Sequence, residues 1–129
     1  NITDEMWDAM IDVHLTAPFR IIRAAVPYMR EVAKQEMAEG RRVHRKIINV
    51  SSTSGVAGNP GQANYSAGKM GIVGLTKTLA KEGGRFNINV NAVAYGLVGT
   101  RLTAPDRGGA AWQAAIAVSP RRRTCRCGS

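Results

Sequence analysis

Two short runs rich in β-branched residues, KIINVS at 46–51 and NINVNAVA at 87–94, constrain this chain more than anything else in it. The first reads as a buried strand. The second alternates with period two and reads as another strand. A loop of small and turn-forming residues follows the first run, Ser51-Ser52-Thr53-Ser54-Gly55 and then Gly58-Asn59-Pro60-Gly61. From about Gln62 to Glu82 the pattern is helical, through Ile72, Val73, Leu75, Leu79 and Ala80. Residues 4 to about 37 read as one long helix. Thr3 suits its N-cap, and Asp4 and Glu5 suit the positive end of its dipole. Apolar residues recur along it at Trp7, Ile11, Leu15, Ile22 and Val26, and Pro18 and Pro27 are expected to bend or split it. Helix, strand, helix, strand is the order of βα units, which predicts an α/β fold with a parallel sheet covered by helices.

Gly68, Gly71 and Gly74 weaken the second helix by roughly 1 kcal/mol each relative to alanine. Close contact with another helix and a buried face within the chain account for them equally well.

A length of 129 residues suits one compact domain. No apolar run reaches the roughly 18–20 residues that a membrane span needs. The acidic start, NITDEMWD, is no secretory or transit signal. It lacks Met, so the chain is expected to begin inside a longer protein. The formal net charge of +9 raises the question of a polyanionic partner. The charge is clustered, at Arg41, Arg42, Arg45 and Lys46 and at Arg121, Arg122, Arg123 and Arg126. Aromatic residues are only 5% and do not interleave with it, so no nucleic-acid platform is expected. A solvated surface is the plain reading, and binding of an acidic group the other. Cys125 and Cys127 are too close in sequence for an unstrained disulfide and too few for a zinc site, with His14 and His44 remote. Free thiols suit a reducing compartment, and a cytoplasmic location is expected.

The chemistry concentrates in Tyr65-Ser66-Ala67-Gly68-Lys69. On a helix, residues four apart share a face, so Tyr65 and Lys69 point the same way. A phenol ordinarily titrates near ~10, and an adjacent ammonium favours its anion. Such a pair brings proton transfer closer to neutral pH. Alone, the pair is weak and reads more simply as a tyrosine beside a lysine on a solvated helix face. Its context is sharper, because a strand ends in serines just before it. In open parallel sheets, ligands sit beyond the carboxyl ends of strands.

Together these residues resemble the short-chain dehydrogenase/reductase family. The stretch IINVSSTSGVAGNPGQANYSAGKMGIVGLTKTLAKEGGRFNINVNAVAYG, from Ile47 to Gly96, is most similar to its 3-oxoacyl-acyl-carrier-protein reductase branch. The resemblance implies part of a Rossmann-like doubly wound parallel sheet and an NAD(P)-dependent oxidoreductase, with NADP slightly favoured over NAD. The family's serine stands thirteen residues before its tyrosine, which selects Ser52. By resemblance, Tyr65 gives or takes the proton at the substrate oxygen, and Ser52 binds that oxygen. Lys69 binds the nicotinamide ribose and tunes Tyr65. The implied substrate is a small molecule or an acyl thioester. The implied assembly is a homodimer or homotetramer.

Two departures stand out. The family's fourth catalytic member is an asparagine on the long helix, where that helix is locally distorted and a main-chain carbonyl holds a water. Here the position is His14, within Val13-His14-Leu15. A retained relay position and a merely structural one both remain open for it. The family's Pro-Gly after the last strand is Tyr95-Gly96 here. Gly96 keeps the tight turn, and by resemblance Val98 and Thr100 contact the nicotinamide end of the cofactor.

The family's Gly-rich cofactor loop, T-G-x-x-x-G-x-G, is not in this sequence, nor is an N-N-A-G segment. The chain is therefore expected to hold the C-terminal half of such a domain in residues 1–105. Residues 106–129 have no sustained pattern and are expected to be irregular, a truncated end read out of frame. An incomplete sheet leaves edges unpaired and apolar faces bare, so the isolated chain is expected to fold poorly and to bind dinucleotide weakly.

Overall fold

The computed structural model describes residues 1–96 and the backbone of Ile116–Val118. Helix α1 (Asp4–Ile11) runs into a π-helical segment (Asp12–Thr16) and then into α2 (Ala17–Ala38). Strand β1 (Arg45–Ser52), short helix α3 (Thr53–Ala57) and helix α4 (Ala63–Gly83) follow. A 3-10 turn (Gly84–Phe86) leads to β2 (Ile88–Tyr95), and β3 is Ile116–Val118.

The long N-terminal helix is continuous in path but changes character at Asp12, ahead of Pro18. Thr3 caps it as expected, its side chain accepting from the Met6 N–H at 3.3 Å. Pro18 falls in the first positions of α2, and Pro27 lies inside α2 without ending it. Both expected strands form, each within a residue of its expected limits. The loop after β1 instead contains α3, because the Ser52 side chain caps a turn too short to show a helical period.

β1 and β2 are parallel and in register from Arg45 opposite Ile88 to Ser52 opposite Tyr95. β3 pairs antiparallel with β2. It falls in the stretch expected to be irregular, and three residues are too few for alternation to be read. The expected domain boundary after residue 105 lies outside the described residues.

One sheet face packs on α4. Ile88, Val90, Ala92 and Ala94 of β2 are buried, as are Ile72, Val73 and Thr76 of α4, and the two elements are in contact. Asn49 crosses this layer and donates to Thr76 Oγ1 at 2.8 Å, and Thr76 in turn donates to the Ile72 carbonyl at 2.7 Å. The other face is bare, with Ile48 62% and Val50 53% exposed. Alternation of side chains across a strand produces this split.

The first helical segments are drawn onto α4. Buried Asn64 donates to the Met6 carbonyl at 3.0 Å. At Gly68 an added Cβ would lie 3.1 Å from the His14 Cβ, so glycine permits the approach. Gly71 meets Leu15 in the same way, whereas Gly74 faces open space. At the far end of α2, nearly buried Glu36 accepts from Arg45 at 2.7 Å, tying the helix to the start of β1.

Candidate active site

The candidate site forms where β1 ends. Ser52 is both the last residue of β1 and the N-cap of α3, its Oγ accepting from the Ser54 N–H at 3.2 Å. Its neighbour Ser51 projects to the opposite face and donates to the Lys69 carbonyl at 2.7 Å. The three serines thus separate by position. The Ser51 hydroxyl is committed to α4, Ser54 supplies a backbone donor, and the Ser52 hydroxyl hydrogen has no acceptor among the described residues.

Tyr65 and Lys69 lie one turn apart on α4. Lys69 Nζ stands 5.7 Å from the Tyr65 ring centroid and donates to the Val50 carbonyl at 2.9 Å. An ammonium has three donors, so two remain for other acceptors. Burial lowers the Lys69 pKa from 10.5. The helix start is held by Asn64, whose side-chain oxygen accepts from the Tyr65 N–H at 2.9 Å. Gly55 in α3 makes room for Lys69, since a Cβ there would stand 2.7 Å from the Lys69 Cβ.

His14 joins this pair. Its ring centroid is 5.0 Å from that of Tyr65, with the planes at 90°. It sits in the middle of the π-helical segment, where the Ala17 N–H donates to the Asp12 carbonyl five residues back. The ordinary α-helical donor to the His14 carbonyl would be the N–H of residue 18, and Pro18 has none. Sequence and geometry thus agree in loosening the main chain at His14. Burial first, and the Lys69 charge second, lower the His14 pKa from 6.5.

Histidine, tyrosine and lysine are therefore brought together, with Ser52 at the adjoining strand end. No hydrogen bond links Ser52 to Tyr65 among the described residues. Gly96 directly follows β2 and is half-buried. Val98 and Thr100 lie outside the described residues. Sequence reasoning missed Asn64 and Gly55, which position Tyr65 and Lys69 without touching a reacting atom. The polar residue at the start of α4 was the only signal for Asn64, and nothing local distinguishes Gly55. No cluster of three metal-ligating side chains occurs among the described residues, and no helix there is long and apolar enough to cross a membrane.

The chain is 47% identical over 102 residues to the peroxisomal hydratase-dehydrogenase-epimerase of Saccharomyces cerevisiae, covering 79% of this chain and 10% of that protein. It is 47% identical over 100 residues to the 3-oxoacyl-[acyl-carrier-protein] reductase FabG of Thermotoga maritima, covering 78% and 37%. Among solved structures it resembles a short chain dehydrogenase from Mycobacterium avium, with a TM-score of 0.66, 44% identity and coverage of 74% and 32%. A 4-hydroxyisoleucine dehydrogenase complexed with NADH and succinate matches with a TM-score of 0.58, 37% identity and coverage of 75% and 41%. The chain spans well under half the length of these relatives. The short chain dehydrogenase pattern matches residues 1–110, and with the Tyr65–Lys69 helix set beside the end of β1, the chain belongs to that family.

Proposed function

We propose that this chain forms the catalytic part of an NAD(P)-dependent oxidoreductase acting on a carbonyl or secondary alcohol, with Tyr65 as its acid and base. The observation that carries this reading is the half-buried ammonium of Lys69 5.7 Å from the Tyr65 ring, beside the strand end that holds Ser52. The residues present fit the nicotinamide–ribose end of a dinucleotide. Lys69 keeps two donors for ribose hydroxyls, and Gly96 follows directly on β2. When bound, the nicotinamide supplies or takes the hydride.

In the reductive direction Tyr65 donates its phenolic proton to the carbonyl oxygen. The Lys69 charge offsets the negative charge left on the phenol oxygen. Ser52 donates its hydroxyl hydrogen to the same substrate oxygen, which is stabilised as charge develops. In the oxidative direction each transfer reverses. The similarity to 3-oxoacyl-carrier-protein reductase favours an acyl thioester substrate and NADP over NAD. It also favours a cytoplasmic homodimer or homotetramer acting in fatty acid metabolism.

The test is turnover in a joined protein, with residues 1–105 placed behind the nucleotide-binding half of the Thermotoga maritima reductase. Reduction of an acetoacetyl thioester, followed by NADPH absorbance, is expected. Tyr65→Phe should lower it by roughly a hundredfold or more with nucleotide affinity retained. A Tyr65→Phe protein of unchanged turnover would exclude the assignment.

A second reading has its own support. The bare sheet face at Ile48 and Val50 is that of an incomplete fold. On this reading the isolated chain is a catalytically incompetent fragment, or one that serves only in interactions. Calorimetry on the 129 residues alone should then detect no NADPH binding at micromolar concentration.

A further inference from the structure

The contact between His14 and Tyr65 is built from the backbone outward. The π-helical segment presents His14 to α4, and Gly68, three residues along from Tyr65, lets the His14 Cβ settle against that helix. The two rings meet edge to face at 5.0 Å. Aromatic rings prefer this geometry, which restrains a side chain more than area burial alone. An asparagine at this position offers no ring.

We propose that the His14 imidazole is a positioning residue for Tyr65, holding the phenol in one rotamer while the imidazole is neutral and releasing it on protonation. This rests on Tyr65 being the acid and base.

The surrounding charges favour the neutral ring. From α4, His14 faces Tyr65 and the Lys69 ammonium. On its own segment, Asp12 is exposed and stands 3.9 Å from the Arg20 guanidinium. No carboxylate among the described residues is hydrogen-bonded to His14. A proton there adds a second positive charge beside Lys69 in a half-buried place, which burial and Coulomb repulsion both oppose. The neutral form therefore extends below pH 6.5, the ordinary value for histidine. Below the lowered midpoint the positioning contact gains a charge and is lost.

The test uses the joined protein without nucleotide or substrate, carrying carbon-13 in its histidines and tyrosines. His14→Asn and Tyr65→Phe identify the resonances. At pH 7.5, nuclear Overhauser contacts between the two rings and a single Tyr65 χ1 rotamer are expected. Both should disappear below a His14 midpoint that lies under 6.5, and Lys69→Met should raise that midpoint. His14→Phe, a ring that cannot titrate, should keep one Tyr65 rotamer at every pH. His14→Asn should leave the rotamer averaged at every pH. Absence of ring contacts at pH 7.5, a Tyr65 rotamer indifferent to His14 protonation, or a fixed rotamer in His14→Asn would each overturn the proposal. The readout needs no turnover, so its failure is distinct from failure of the oxidoreductase reading.

Discussion

Gly55 lies so close to Lys69 that a Cβ on it would stand 2.7 Å from the lysine Cβ and 2.8 Å from its carbonyl carbon. The neighbouring atoms are the Lys69 Cβ and the backbone of α4, which cannot swing away as a side-chain tip can. Gly55→Ala should therefore cost about 1–3 kcal/mol of stability and displace Lys69. Urea unfolding of the joined protein measures the first. A raised KM for NADPH reports the second.

Gly74 makes the opposite case. A Cβ there meets nothing within 4 Å, so only helix propensity acts. Gly74→Ala should stabilise a monomeric form by ~1 kcal/mol. If the open face instead packs against a second copy, the same change should weaken assembly, and sedimentation would register it.

Ser51 and Ser52 should separate in opposite directions. Ser51→Ala removes the bond to the Lys69 carbonyl and should cost about 0.5–1.5 kcal/mol of stability. On the proposed mechanism Ser52→Ala removes the donor to the substrate oxygen, and it should lower kcat by roughly a hundredfold or more. Paired unfolding and turnover measurements on the two variants check this.

Legibility in the sequence followed the length of each pattern. Both long helical stretches and both eight-residue strands are visible in the spacing of apolar residues such as Ile72, Val73, Val90 and Ala92. The π-helical segment is not, because one extra residue shifts the apolar spacing at a single point, in a stretch where Pro18 already interrupts the pattern. Helix α3 escaped because its cap, Ser52, looks like any other serine in a small-residue loop. Tyr65 and Lys69 stood out by their four-residue spacing. The 5.0 Å approach of His14 to Tyr65 did not, since fifty-one positions separate them and only the packing of the π-helical segment on α4 joins them.

Asn49 and Thr76 form a buried polar link between β1 and α4. Thr76→Val keeps the shape but leaves the Asn49 amide buried without its acceptor. The expected loss is about 1–3 kcal/mol, larger than that of Asn49→Ala/Thr76→Val relative to Asn49→Ala alone. A double-mutant cycle by urea unfolding measures it.

Acid should loosen the tie between α2 and β1. The hydrogen bond from Arg45, aided by the nearby charges of Arg45 and Arg41, holds the Glu36 carboxyl below the ordinary 4.5. The unfolded chain then binds a proton more readily than the folded one. The contribution to stability is thus full above about pH 4.5 and is lost as pH falls through the lowered folded value. Glu36→Gln should be less stable than the parent at pH 7, with the gap closing in acid. Thermal midpoints from pH 7 to pH 3 follow it.

The π-helical segment also fixes an angle. Each residue of an α-helix turns the chain by roughly 100°. The extra residue within Asp12–Thr16 therefore sets the rotational phase of α2 against that of α1. Deleting Val13 would restore a regular turn and wheel α2 about its axis, carrying Ile22, Ala33 and Glu36 out of the places they now fill. A single amino acid in the wall of the site thus acts as the dial on which the whole of α2 is set.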